Sequence, residues 1–308
     1  MISIVIPVYN ERENIAPLYH ELTAVLISLH KPYELLYIDD GSTDGTSLEL
    51  SKYKADPHLR MFQFRRNMGK AAALNLAFQE AKGDVVFTMD GDLQDDPHEI
   101  PHFISKLDEG YDLVNGWKKV RKDPLGKRLP SKIFNYLVRK ITKVPVHDSN
   151  CGFKAYRSEV VKTLKMYGEL HRYIPSLVQA KGFRVGEIPV HHRARKFGKS
   201  KYGLSRLTRG FLDLLTIRYI VTYHNKPMHF FGTLGIISVL SGTFLGLLLA
   251  YLSIIQNIII IRPLLFLALL LVIVGVQLFS TGLLGEMIVQ IAEEDEKYIK
   301  DVLIKQKK

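Results

Sequence analysis

The sequence predicts an α/β domain built on a mostly parallel sheet, followed by a two-helix hairpin that crosses a membrane. Three observations carry this. Short β-branched apolar runs alternate with segments of helical spacing through residue 89. Two long stretches near the C-terminus, Phe230–Ile261 and Leu264–Gly285, hold no charged residue. Polar and acidic clusters stand just after the strand runs, where open parallel sheets bind ligands.

Ile2–Val8 is a run of apolar, largely β-branched residues and reads as a buried strand. Glu13–Leu29 spaces Ile15, Leu18, Leu22, Val25, Leu26 and Leu29 on one helical face. Tyr33–Ile38 is a second strand, closed by the turn DDGSTDGT, in which Ser42 or Asp44 can cap the next helix. Leu59–Phe64 is a third strand, Gly69–Ala81 an Ala-rich helix, and Asp84–Met89 a fourth strand ending in DGD. This order predicts parallel pairing with covering helices.

Each uncharged stretch is long enough for one span, which needs roughly 20 apolar residues. A short turn near Gln256–Pro263 makes them a hairpin, so both flanks lie on one side. Arg206, Arg209, Arg218 and Lys226 precede it, and Lys297, Lys300, Lys305, Lys307 and Lys308 follow. The turn carries only Arg262, so the positive-inside bias puts both termini in the cytoplasm. MISIVIPVYN has no basic n-region and reads as a strand, not a signal peptide. The expected organisation is a cytoplasmic catalytic domain over 1–202, juxtamembrane amphipathic helices over 203–228, two transmembrane helices over 229–285, and a charged cytoplasmic tail over 286–308. The protein is then a multi-pass cell-membrane protein. Pro130–Lys143 and Gly203–Ile220 read as basic amphipathic helices in the interface. Glycines in both spans permit close helix contacts, including contacts between protomers in a homo-oligomer.

The 308 residues include 42 Lys+Arg against 31 Asp+Glu, a net charge of +11. Such an excess suits nucleic acid, acidic lipid or phosphorylated substrates. Here the basic groups flank membrane segments and no module of stacking aromatics appears, which argues against nucleic acid. A single cysteine, Cys151, excludes an internal disulfide framework and a zinc site of several thiolates.

The chemistry gathers at the strand ends: Asn10 and Glu11, then Asp39 and Asp40, then Asp90 and Asp92. Asp90-Gly91-Asp92 sets two carboxylates on a tight turn beside Gln94 and Asp95. Oxygen ligands of this kind suit Mg²⁺ or Mn²⁺ held against substrate phosphates. No P-loop and no dinucleotide fingerprint is present. Lys118, Lys119, Arg121, Lys122, Lys127, Arg128 and Lys132 crowd one segment, fit for an anionic group or anionic lipid.

IVIPVYNEREN, IDDGSTDGT, RRNMGKAAALN, MDGDLQDDP, DSNCGFKAYR and RKFGKSKYG follow in this order. From Ile2 to Tyr202 the chain thereby resembles the GT-A, family 2 glycosyltransferases, and among them the polyprenyl-phosphate sugar transferases. The resemblance implies a GT-A, Rossmann-like sheet and an inverting, metal-dependent transfer of one sugar from a nucleotide to polyprenyl phosphate. It implies Pro7, Tyr9 and Glu11 around base and ribose, with Asp39 or Asp40 on the base. It implies Asp90 and Asp92 on the metal, Gln94 nearby, and Arg195 and Lys201 closing over the diphosphate. Lys118, Lys127 and Ser131 match acceptor-phosphate positions, with Arg121 and Arg128 as further candidates. Asp148 matches an aspartate near the acceptor; it positions phosphate or sugar, or is simply a turn residue. UDP-glucose is the first donor expected, GDP-mannose the second. A processive synthase is disfavoured because Trp117, the only tryptophan, lies outside any Gln-x-x-Arg-Trp motif. A silent membrane scaffold is disfavoured because both metal carboxylates are present.

Overall fold

The computed structural model describes residues 1–119, 135–194, 206–223, 226–256 and 263–306. They fall into two units, Met1–Ile217 and Arg218–Lys308.

The first unit is a seven-stranded sheet covered by helices. Its elements are β1 (Ile2–Val8), α1 (Arg12–Ser28), β2 (Tyr33–Asp39), α2 (Thr46–Ser51), β3 (Leu59–Gln63), α3 (Lys70–Glu80), β4 (Val85–Thr88), α4 (Ile100–Asp108) and β5 (Leu113–Trp117). There follow α5 (residues 135–142), β6 (Lys154–Arg157), α6 (Ser158–Thr163), a 3₁₀ turn at Leu170–Tyr173, α7 (Ile174–Ala180) and β7 (Val185–Pro189), and the boundary between the units falls within α8 (Arg206–Tyr223). The strand order is β3-β2-β1-β4-β6-β5-β7. Only β6 runs antiparallel; it slots between β4 and β5. The sheet is therefore mostly parallel, as the alternation of elements predicts, and the first four strands, with α1 and α3, lie within about a residue of the expected bounds.

β1 has every residue buried except Pro7, and β2 every residue except Tyr33, as central strands covered on both faces require. Ile15, Leu18, Leu22 and Leu26 of α1 are fully buried against this sheet, so the predicted helical stripe is the packed one. Further along the strand order, Phe103 of α4 packs tilted against Phe153 and edge-on against Phe87. Asp44, one of the two predicted caps, accepts from the Thr46 N–H at the start of α2 (2.9 Å). Ser42 instead receives the Asn10 N–H (2.9 Å) and so ties the β1 loop to the β2 loop.

The second unit is a helical hairpin, α9 (Pro227–Gln256) and α10 (Pro263–Gln306). Both helices are long and apolar enough to cross a membrane. They meet through glycine. A Cβ on Gly235 would strike the Gly275 carbonyl, one on Gly242 the Ala268 carbonyl, and one on Gly275 the Val239 side chain. Ser238 Oγ donates across the seam to the Leu271 carbonyl (2.7 Å). Glu286 Oε2 accepts the Met228 N–H (3.2 Å), capping the start of α9 from α10. These glycines bind the hairpin to itself, so they carry no argument about contacts between protomers. Leu240, Phe244, Leu247, Phe266 and Leu284 point outward and are each more than half exposed, the surface a lipid phase requires. α10 continues past its apolar stretch as helix, so the charged tail extends the second span.

Of the two expected interfacial helices, α5 packs Val138 and Thr142 inward and leaves Tyr136, Leu137, Arg139 and Lys140 exposed. α8 buries Ile217 and exposes Leu215.

Candidate functional site

The loops leaving β1, β2 and β4 share one edge of the sheet because the three strands are parallel neighbours. Asn10, in the left-handed region (φ 53), turns the chain at the end of β1. Its side-chain oxygen accepts the Thr43 N–H (2.8 Å), and Thr46 Oγ1 accepts the Glu11 N–H (2.9 Å). Pro7, Tyr9 and Glu11 stand half-buried on this stitched edge. Asp39 is fully buried and accepts from the Ser42 N–H (2.9 Å) and the Ser47 hydroxyl. Asp40 accepts the Met68 and Gly69 N–H groups (2.6 and 3.0 Å), which fixes the start of α3. Burial raises the Asp40 carboxyl above its ordinary value, against the pull of those two N–H groups. Gly41 is obligatory: its φ is 72, and a Cβ would run into the Arg66 backbone.

Asp90, Gly91 and Asp92 follow β4 directly. Leu93 takes a left-handed conformation (φ 61), unusual for a non-glycine residue, and turns the chain after Asp92. Asp92 is buried, and one of its oxygens accepts the Gln94 N–H (3.1 Å). Asp90 pairs with the Lys70 ammonium at the first turn of α3. Asp95 accepts the Asp90 N–H (3.2 Å) and pairs with Lys118 (2.9 Å). Burial alone would raise the Asp90 carboxyl; Lys70, Lys118 and Lys154 overrule it and hold it far below the ordinary range. Burial would lower the Lys118 ammonium, but Asp95 lifts it well above its usual value. Gly152 backs directly onto Asp90, where a side chain would displace the carboxylate.

Asp90 and Asp92 offer carboxylate oxygens and no sulfur or imidazole, the donor set that Mg²⁺ and Mn²⁺ prefer. The turn therefore fits a hard divalent cation. Glu21, Asp96 and His98 also converge. That cluster is served by Arg193, whose guanidinium bonds Glu21 twice (2.7 and 2.9 Å) and Asp96 once (2.7 Å).

Asp148 is buried and receives Asn135 Nδ2 of α5 (3.2 Å), while its backbone carbonyl receives Asn115 Nδ2 (3.0 Å). Gln94 reaches the Arg193 carbonyl (3.4 Å) and accepts the Arg193 N–H through its own carbonyl (2.9 Å). The Asp90–Asp92 turn is thereby joined to Arg193, two residues before Arg195 in the chain. Arg195, Lys201, Arg121, Lys127, Arg128 and Ser131 lie outside the described residues. Lys118, expected on the acceptor phosphate, is paired with Asp95 inside the acidic cluster.

Sequence reasoning assigned no role to Lys70, Lys154, His171, Arg172 or Arg193. Lys70 and Lys154 sit inside quoted motifs, so the signal was present; what was missing was the fold that turns both toward Asp90.

The family model "Glycosyl transferase family 2" matches residues 3–165. A dodecaprenyl-phosphate galacturonate synthase of Rhizobium johnstonii is 40% identical over 305 residues, covering 96% of this chain and 89% of its own. An undecaprenyl-phosphate 4-deoxy-4-formamido-L-arabinose transferase of Salmonella paratyphi A is 36% identical over 296 residues, covering 93% and 88%. Among solved structures, a glucosyl-3-phosphoglycerate synthase of Mycobacterium tuberculosis with Mn²⁺, UDP-glucose and phosphoglyceric acid aligns at a TM-score of 0.56. It is 19% identical and covers 72% of this chain and 79% of that one, a likeness of fold.

Proposed function

Because the chain belongs to glycosyltransferase family 2, we propose that it moves one sugar from a nucleoside diphosphate to the phosphate of a polyprenyl lipid. The observation that carries this is the Asp90–Asp92 turn at the tip of β4, flanked by lysines, in a chain that also holds a hairpin of two helices long and apolar enough to cross a membrane. The two polyprenyl-phosphate relatives support the acceptor.

Charge explains the design. A phosphate monoester has a second pKa of about 6, so a lipid phosphate is largely dianionic at neutral pH and is already a nucleophile. It needs no general base, unlike a sugar hydroxyl. The protein's task is to hold two anionic groups close together and to stabilise the departing diphosphate. Asp90 and Asp92 would hold a Mg²⁺ or Mn²⁺ ion, which when bound neutralises diphosphate charge. Pro7, Tyr9, Glu11 and one of Asp39 and Asp40 frame the nucleoside. Gln94 links the turn to the Arg195–Lys201 segment, which supplies cations to the diphosphate. Lys127, Arg128, Ser131 and Arg121 take the acceptor phosphate, and Asp148, oriented by Asn135, positions it. In-line attack at the anomeric carbon inverts its configuration.

The donor is a UDP-sugar in this reading. UDP-glucose was the first expectation; the relatives' names put a galacturonate and a formamido-arabinose ahead of it, with GDP-mannose behind. The catalytic unit and both termini face the cytoplasm, where nucleotide sugars are found.

The test uses the full chain in detergent with undecaprenyl phosphate, Mg²⁺ or Mn²⁺, and a panel of UDP- and GDP-sugars. One donor gives an alkali-stable lipid-linked sugar that chelation and Asp92→Asn both abolish. Nucleotide binding without any transfer would overturn the acceptor, and no nucleotide binding at all would return the scaffold reading.

A further inference from the structure

The order of strands lays out the ligand. The nucleoside residues leave β1 and β2, and the metal turn leaves β4. The next strand across is β6. Because β6 is antiparallel, its first residue, Lys154, lies at the same edge, paired in register with Thr88, the last residue of β4. A nucleoside diphosphate running along this edge brings its sugar to Lys154.

Lys154 is 2% exposed. Its ammonium has three donors and gives one to the Cys151 carbonyl. Among the described residues no carboxylate pairs with it, whereas Lys70 and Lys118 each have one. A buried ammonium with no carboxylate in direct contact is only partly compensated, and such a group is suited to receive an anion. Burial, with the neighbouring Lys70 charge, pulls the ammonium down to about 8, against the favourable fields of Asp148 and Asp90.

Two further polar groups stand on this side. Tyr156, on the same face of β6 as Lys154, packs edge-on against Phe78 of α3, which identifies the face as that of α3. The 3₁₀ turn brings His171 within electrostatic reach of Lys70, Lys154 and Asp90. Burial, with the cations around it, keeps this imidazole neutral, and its Nδ1 is buried with no partner among the described residues. Arg172 is 8% exposed; Glu169 takes its Nη2 (2.5 Å), and its Nε is buried without a partner. Hydroxyls alone would satisfy His171 and Arg172 but would give Lys154 no carboxylate in direct contact.

We infer that Lys154, with His171 and Arg172, forms a subsite for a carboxylate on the transferred sugar, so that the donor is a nucleoside diphosphate uronic acid. This rests on the sugar-transfer reading and narrows its donor. Lys154 takes the carboxylate, and His171 and Arg172 take ring hydroxyls.

Two arms test it, both with the full chain in detergent and Mn²⁺. The first measures binding of UDP-galacturonate and UDP-glucuronate against UDP-galactose and UDP-glucose, with no acceptor present. The second measures kcat/KM for the same donors with undecaprenyl phosphate. A uronate is preferred over its parent hexose by at least about tenfold, the scale of a charge-assisted hydrogen bond. Lys154→Met removes the preference, and Lys154→Arg, which keeps the charge, retains it. The wild-type ratio decides even where a variant fails to fold. A wild-type preference for the neutral hexoses, or an equal loss for every donor in Lys154→Met, overturns the proposal. A binding preference without transfer keeps the subsite and overturns the transfer reading instead.

Discussion

At the residue scale the site is a set of carboxylates and ammoniums interleaved so that few are left uncompensated. Asp90 has Lys70, Asp95 has Lys118, and Gly152 leaves just enough room for the first pair. Gly152→Ala therefore pushes Asp90 off its position and weakens Mn²⁺ binding at least about tenfold in a titration, while the melting temperature falls modestly. Lys154 gives a pH signature. Its folded value of about 8 lies below the ordinary 10.5, so between these values the unfolded chain holds a proton that the fold sheds. Stability on this account is lowest below pH 8 and rises toward pH 10.5, by up to about 3 kcal/mol. Thermal melting across that range should show the rise in the wild type and not in Lys154→Met. A flat difference between the two would show that the ammonium is not destabilised. The Asp90–Asp92 turn was legible in the sequence because Asp-Gly-Asp follows an apolar strand run directly. The lysines around it were not, since a Lys in a motif looks the same whether it faces water or Asp90. Lys118 makes the point: the sequence put it on the acceptor, and the fold pairs it with a carboxylate.

At the scale of elements, legibility followed burial. β1 and β2 are apolar but for Ser3, Glu34 and Asp39 because helices cover both faces, and their runs stand out. β5 (LVNGW), β6 (KAYR) and β7 (VGEIP) carry Asn, Lys, Arg, Glu and Gly in four or five residues, so no periodicity marks them. Their polar residues are site residues or brace it: Asn115 holds the Asp148 carbonyl, and Glu187 receives the His147 and Asp148 N–H groups. The half of the sheet that departs from a strand's usual composition is thus the half that braces Asp148. The hairpin was legible by length alone, and its seam is where a substitution should tell. Gly275→Leu cannot be seated against Val239 and the Gly235 carbonyl, and overpacking of this kind costs about 1–3 kcal/mol. It should lower the melting temperature in detergent, whereas Gly246→Ala, at a position with room, should not. Equal effects would place the helix contact elsewhere.

At the scale of the whole molecule, the proposed two-span topology, with its basic excess on the flanks, is expected to put both termini on one face of the membrane. Cysteines introduced at residues 2 and 306 should react with an impermeant maleimide only after spheroplasts are opened, and one at residue 259 before. Labelling of all three from one side would remove the hairpin topology. The native background is favourable, because Cys151 is buried and its thiol is pushed up to about 12. The molecule also carries its own optical probe. Trp117 lies flat on His147, with ring centres 4.3 Å apart, at the last residue of β5 and immediately before the basic segment that begins at Lys118. Since no other indole exists in the chain, all emission excited at long ultraviolet wavelengths arises from that one stacked pair. Any lipid phosphate arriving beside it would be read as a change in brightness or colour, in real time and without a label.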